Sequence, residues 1–232
     1  MKYRLILFDA DGTLLDYERA QGYALEKTFR GFGLTYAADY HLEQYRDISN
    51  TTWGEYEDGR ISADGLRVER FRRLLERVHI SLEPEVFGAR YLAALSQTPF
   101  LVDGAFQVVS KLHGRYRLAL VTNGLSTVQH SRVERSGLAG YFECVAVSED
   151  VGIAKPDPGI FGYTLEKIGH TDKSTVLIVG DSLEADIGGG IRFGTDTCWF
   201  NPANKENTSG LVPTYEIQHL RQLEPALGSP EA

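Results

Sequence analysis

Short apolar runs recur along the chain, and each ends on a polar residue or glycine before helix-period sequence begins. They are Arg4–Phe8, Arg117–Val121, Cys144–Val147, Val176–Val179 and, less sharply, Thr197–Phe200. Apolarity within these runs is continuous, where a half-exposed strand would alternate. A strand keeps apolar side chains on both faces only when both faces are covered. The runs therefore predict a parallel sheet with helices packed on either side. The segments between them supply the helices. Gly104–Leu112 carries one apolar stripe, Ser126–Ser136 ends before Gly137, and Pro158–Ile168 follows Asp157 and stops at Gly169. An Asp cap with Pro at the first helical position fits a helix start, and Gly fits an end. The expectation is an open α/β sheet.

The stretch from about Tyr17 to Thr98 has a different character. Apolar residues recur there at helical spacing, as in Tyr23, Phe29 and Phe32, or Val68, Phe71, Leu74, Leu75 and Val78. Breaks fall near Gly31–Gly33, Gly59 and Glu83-Pro84. This predicts an insertion of about four helices with no buried strand, hinged at Asp16-Tyr17 and Thr98-Pro99. The expected organisation is residues 1–16 with 99–232 as one domain and 17–98 as another. Gly228–Ala232 is expected to fray.

Composition bounds the partners. Across 232 residues, 24 Lys and Arg stand against 32 Asp and Glu, a net charge of −8. That balance argues against a nucleic-acid polymer or an anionic membrane as partner, and an anionic ligand would need local help from a cation. With 42% hydrophobic and 24% charged residues, wholesale disorder is excluded. Cys144 and Cys198 are too few for a disulfide framework or a zinc site, and are expected as small core residues in a reducing compartment. The apolar run Leu5–Phe8 is too short for a secretory leader, and no run approaches the roughly 18 apolar residues of a spanning helix. A cytoplasmic location is expected. Oligomeric state is not legible.

In an open α/β sheet, ligands bind beyond the carboxyl ends of the strands. Asp9-Ala10-Asp11-Gly12-Thr13 follows the first run, Thr122-Asn123-Gly124 the second, and Gly180-Asp181-Ser182 the fourth, with Asp186 one helical turn on. Lys155 and Pro156 follow the third after a short loop. If the strands are parallel neighbours, these groups converge. Asp9 and Asp11, two apart on an extended strand end, would point the same way. Adding Asp181 and Asp186 crowds carboxylates that repel one another, which a hard divalent cation such as magnesium relieves. Lys155 adds fixed positive charge, and Thr122 and Asn123 add donors. The set suits a multiply negative tetrahedral group such as a phosphoryl, and an ionised Asp can itself be the nucleophile.

These segments, Asp9-Ala10-Asp11-Gly12-Thr13, Val121-Thr122-Asn123-Gly124, Ala154-Lys155-Pro156 and Gly180-Asp181-Ser182 to Asp186, resemble in order the four motifs of the haloacid dehalogenase superfamily. The helical insertion resembles that superfamily's cap of the first type. Trp53–Ser62, Val147–Pro156 and Thr197–Asn201 are similar to its pyrimidine 5′-nucleotidase branch. The resemblance implies a Rossmann-like α/β core with an inserted helical cap. It implies a magnesium-dependent phosphomonoesterase with a small-molecule substrate, foremost a nucleoside 5′-monophosphate. Asp9 would be the nucleophile and Asp11 the general acid/base. Thr122 and Lys155 would hold the phosphoryl group, with Asn123, Gly124 and Thr13 binding phosphate or supporting the loops. Asp9, the Asp11 backbone carbonyl and Asp181 would ligate magnesium, with Asp186 behind them or acting through water.

Plainer readings exist for each piece taken singly. Asp-x-Asp-Gly-Thr can be a turn, Lys155 a solvated surface lysine, Asp186 an exposed helix residue and Glu55-Glu57-Asp58 a solvated face. Trp53 and Tyr56, three apart on one helical face, suit cap packing; as a specificity site they would stack on a base. Alternative functions are a phosphoglycolate or sugar-phosphate phosphatase, a phosphomutase, a 2-haloacid dehalogenase, and a dead interaction module. A dehalogenase needs neither the acid/base nor the metal, and a dead module should have lost a key residue.

Overall fold

A computed structural model describes residues 2–228. The expected fraying at Gly228–Ala232 falls, beyond Gly228, outside the described residues. In chain order the elements are β1 (Leu5–Phe8), α1 (Tyr17–Gly31), α2 (Glu43–Glu57), α3 (Ala63–Arg77), α4 (Pro84–Leu95), α5 (Ala105–Leu112), β2 (Arg117–Thr122) and α6 (Ser126–Arg135). Then come β3 (Cys144–Val147), the single turn α7 (Ser148–Val151), α8 (Gly159–Lys167), β4 (Val176–Gly180), α9 (Gly189–Phe193), β5 (Asp196–Phe200), β6 (Tyr215–Ile217) and α10 (Leu223–Ala226). The chain divides into two compact units, residues 1–17 with 99–232 and residues 18–98. No helix among the described residues is long and apolar enough to cross a membrane.

In the first unit all six strands run parallel in the order β3-β2-β1-β4-β5-β6. Strand β1 lies between β2 and β4, with Leu5 opposite both Arg117 and Val176. Its four residues are wholly buried because successive side chains enter two different cores. Ile6 and Phe8 pack with Val108, Val109 and Leu112 of α5, while Leu5 and Leu7 pack with Ile160, Phe161 and Leu165 of α8. Strands β2 and β4 alternate the same way, Leu118, Leu120, Leu177 and Val179 to one side and Ala119, Val121, Val176 and Ile178 to the other. This two-sided burial is why the runs carry no polar alternation. Each fully buried Leu, Ile or Phe contributes about 1.5–3 kcal/mol relative to exposure, and a polar residue in mid-run would forfeit it.

The expected helix 158–168 starts differently: Pro158 is the flanking residue and Gly159 the first helical one. Asp157 nonetheless accepts a hydrogen bond from the Gly159 N–H at 2.8 Å. The strand β6 was not expected; it is three residues long, and only Ile217 is buried.

The second unit contains four α-helices, α1 to α4, plus a π-helical turn over Ala38–Leu42, and no strand among its described residues. Ser62 caps α3 by accepting from the Gly65 N–H, and Pro84 opens α4. Aromatic rings make the contacts between helices: Phe71 lies 5.0 Å from Tyr91 and 5.8 Å from Phe87, which lies 5.5 Å from Phe29. The buried residues of α1 are Ala20, Gln21, Ala24, Leu25, Thr28 and Phe29; Tyr23, expected on that stripe, is exposed. On α3 the stripe Phe71, Leu74 and Leu75 is buried as expected, but Arg70 is buried with it.

Candidate active site

The sheet order places a topological switch at β1: the chain builds β2 and β3 on one side and β4 to β6 on the other. Asp9 continues β1 by donating its N–H to the Val179 carbonyl at 2.9 Å. Thr122 ends β2, and Asp181 follows β4 directly. The residues singled out at the strand ends thus leave the sheet together at its carboxyl end.

Lys155 is the hub. Its Nζ donates to Asp9 Oδ1 at 2.6 Å and to Asp186 Oδ1 at 2.7 Å, and lysine and both carboxylates are buried. Asn123 fixes the lysine's backbone twice: its Oδ1 accepts from the Lys155 N–H and its Nδ2 donates to the Lys155 carbonyl, both at 2.8 Å. Asp186 Oδ2 accepts from the Ser182 N–H at 3.0 Å, so both its oxygens are engaged. Lys155 is therefore no surface lysine and Asp186 no exposed helix residue. Burial pushes the Asp9 carboxyl well above its ordinary range; the Lys155 charge opposes this and Asp186 and Asp181 add to it. Burial alone would lower Lys155, but Asp186 and Asp9 outweigh it and hold the ammonium above its usual value. Withdrawal from water, then the Asp186 charge, push Asp181 upward, although part of its surface is exposed.

Asp9, Asp181 and Asp186 each offer a carboxylate oxygen within 4.8 Å of the others. Against Lys155 these three leave two formal negative charges. Asp9 Oδ2 is buried with no hydrogen-bond partner among the described residues. Gly12, at φ +88°, passes so close to Asp181 that a Cβ would sit 2.4 Å from Oδ2, so only glycine fits this turn. A free buried acceptor beside two further carboxylates is the hard oxygen donor set that magnesium takes, and the residues present fit that ion. Thr13 is buried, its Oγ1 a long 3.5 Å from Asp181 Oδ1. Trp199 Nε1 donates to the Asp181 carbonyl at 2.9 Å.

Asp11 departs from expectation. Its carboxylate does not join the other three but turns toward α6, where Gln129 Nε2 donates to Oδ2 at 2.9 Å and Arg132 Nη1 to Oδ1 at 2.5 Å. Asp9 is held by Lys155 instead, so the two carboxylates expected to act side by side take different partners. Gln129 and Arg132 were missed because Gln and Arg on a helix read as a solvated face; both are buried. Thr122 Oγ1 accepts from Gln129 Nε2 at 2.9 Å, and the Gly124 N–H donates to Ser148 Oγ at 3.0 Å. Trp53 and Tyr56 lie on α2 in the second unit, half-buried, edge to face at 5.7 Å. Glu55 is not simply solvated: both its oxygens accept from Arg73, at 3.1 and 2.9 Å.

Comparison with known proteins agrees with this geometry. A family model described as haloacid dehalogenase-like hydrolase matches residues 3–194. The chain is 36% identical to pyrimidine 5′-nucleotidase YjjG of Escherichia coli, covering 98% of this chain and 99% of that protein. It is 34% identical to pyrimidine 5′-nucleotidase PynA of Streptococcus pneumoniae, covering 96% and 94%. The HAD-hydrolase YfnB of Bacillus subtilis, solved bound to magnesium, superposes with a TM-score of 0.92 at 37% identity over 99% of this chain and 100% of that one. The six-stranded parallel sheet, the strand-end motifs and these matches agree: the chain is an enzyme of the haloacid dehalogenase-like hydrolase family.

Proposed function

We propose that this hydrolase cleaves phosphomonoesters, pyrimidine nucleoside 5′-monophosphates foremost, through an aspartyl-phosphate on Asp9. The observation that carries this reading is the buried Asp9 carboxylate, held by Lys155 at the strand ends with one oxygen free of hydrogen bonds beside two further acids. In this reading an Asp9 oxygen attacks phosphorus and the bond to the leaving oxygen breaks. Asp11 gives that oxygen a proton, then takes one from the water that attacks the acyl phosphate, releasing inorganic phosphate and restoring Asp9. Lys155 and Thr122 hold the transferring group, and Asn123 keeps Lys155 in place. Asp9, the Asp11 backbone carbonyl and Asp181 would hold magnesium, with Asp186 behind them; when bound, the ion screens the carboxylates from the phosphate's charge. The sheet unit is then the catalytic core and the helical unit the cap that selects the leaving group. The names of the two nucleotidase relatives support the pyrimidine assignment.

The test is phosphate release from a panel of pyrimidine and purine monophosphates, sugar phosphates and phosphoglycolate, with chelator or magnesium, and 2-haloacids as control. Magnesium-dependent release, fastest from pyrimidine nucleotides, is expected. A faster sugar phosphate or phosphoglycolate would change the substrate class, and metal-free turnover of a 2-haloacid would overturn phosphoryl transfer.

A further inference from the structure

Asp11 carries both proton transfers in the proposed function, yet a carboxylate on a turn has no fixed direction of its own. Here each of its oxygens has a separate buried donor, Gln129 Nε2 at 2.9 Å and Arg132 Nη1 at 2.5 Å. The donors are in turn locked to each other and to the phosphate-holding loop. Arg132 Nη1 also donates to Gln129 Oε1 at 3.1 Å, and Gln129 Nε2 is shared with Thr122 Oγ1 at 2.9 Å. Residues three apart share a helix face, so α6 presents both side chains together. The start of that helix is itself held, because Glu149 accepts from the Ser126 N–H at 2.8 Å. Room for Gln129 comes from Gly124, where a Cβ would lie 2.5 Å from its Cγ.

Gln129 and Arg132 are 2% and 1% exposed. Burying a guanidinium is unfavourable unless it is compensated, and a buried ion pair adds little over apolar packing. The stability of α6 does not account for the pair. A carboxylate with a donor on each oxygen, however, is confined to one orientation. We infer that Gln129 and Arg132 are positioning residues, a clamp that sets the Asp11 carboxylate for proton transfer and couples it through Thr122 to the phosphoryl site. This rests on the reading of Asp11 as the acid/base.

The test compares a pyrimidine nucleoside monophosphate with p-nitrophenyl phosphate, whose leaving group departs without a proton, under conditions where the chemical step limits both. The variants are Asp11→Asn, Gln129→Met, Arg132→Met, Arg132→Lys and the double variant Asp11→Asn/Arg132→Met, each with a melting curve. Asp11→Asn should cost about 10²–10⁴-fold on the nucleotide and much less on the nitrophenyl ester. Gln129→Met and Arg132→Met should lower kcat on the nucleotide by roughly 10- to 100-fold, with KM nearly unchanged and the nitrophenyl ester largely spared. Arg132→Lys should recover part of the loss, and Arg132→Met should cost nothing further once Asp11 is Asn. Equal losses on both substrates, or a full loss added to Asp11→Asn, would overturn the clamp and leave the pair as packing. If Asp11→Asn discriminates between the substrates and the clamp variants do not, only the clamp fails. If Asp11→Asn does not discriminate, the acid/base assignment fails and the clamp with it. Should Arg132→Met not fold, Gln129→Met, which leaves every charge in place, decides the matter alone.

Discussion

The two units bury charge in different ways. In the sheet unit the buried charged residues among those described are Asp9, Lys155, Asp186 and Arg132, and each meets a group of opposite sign at 2.5–2.7 Å. In the helical unit the one described buried charged residue is Arg70, and rings surround it. Its guanidinium carbon lies 4.9 Å from the centre of Phe71, 5.7 Å from Tyr91 and 5.8 Å from Trp53. Other charges there form surface pairs, such as Arg72 with Glu69 and Glu76 or Arg77 with Asp47. Exposed pairs are worth about 0.2–1 kcal/mol, and cation–π contacts about 0.5–2 kcal/mol. Carboxylates packed against one another, by contrast, are unfavourable, and apolar residues would often serve stability as well or better. Like charges brought together in a core point to chemistry.

Removing the charge to which the proposed function assigns the attack should give the largest effect. Asp9→Asn keeps the shape and should reduce turnover to background with far-UV circular dichroism unchanged, because no other group stands ready to attack. A folded variant with a tenth of wild-type turnover would remove Asp9 as nucleophile. Next comes the ion. Chelator should stop activity and magnesium restore it, and magnesium should raise the melting temperature of the protein as a ligand of the folded state. Asp181→Ala should shrink that rise and increase the magnesium needed for half-maximal rate by about tenfold or more. An unchanged magnesium dependence would take Asp181 out of the ligand set.

The helical unit should respond more modestly, and Trp53 sharpens the contrast. If its ring stacks on a base, Trp53→Ala lowers kcat/KM for a pyrimidine monophosphate by roughly 5- to 150-fold and spares a small phosphate ester. If it only packs against Tyr56 and Arg70, activity on every substrate falls together and the melting temperature drops. The smallest effect is electrostatic. Hydrogen bonding from Arg72, ahead of that from Arg73, lowers the Glu69 carboxyl to about 2 from an ordinary 4.5. Its folded pKa is depressed, so its stabilisation is present above about 4.5 and is lost as pH falls toward 2. Glu69→Gln should therefore cost under about 1 kcal/mol at neutral pH and nothing near pH 2, by denaturant titration at both values. A cost that persists at pH 2 would mean that Glu69 acts by packing.

Much of this was legible from the chain because it is local. The runs at Leu5, Arg117, Cys144 and Val176 became strands since continuous apolarity needs two covered faces, and α1 ends on Gly31, α2 shortly before Gly59, while α4 begins at Pro84. Tyr23 failed as a core residue because helical spacing alone does not say where an apolar stripe ends; the buried face runs through Ala20, Ala24 and Thr28. Strand β6 escaped because three edge residues with one buried side chain carry almost no periodic signal. Arg70, Gln129 and Arg132 escaped because a polar residue on a helix is buried only when a partner elsewhere compensates it, and that partner is invisible to periodicity.

By itself, then, the sequence determined the alternation of strands and helices, the helical insertion, the strand-end positions of Asp9, Thr122 and Asp181 and the loop position of Lys155, since propensity and periodicity act within a few residues. Which of those groups face one another was decided only by the tertiary structure. Strand order brings Lys155 between Asp9, 146 residues earlier, and Asp186, 31 residues later. Asp11 finds its partners on a helix 118 to 121 residues away. A side chain's direction at a strand end depends on which neighbour can satisfy its charge, and such neighbours are supplied by the fold.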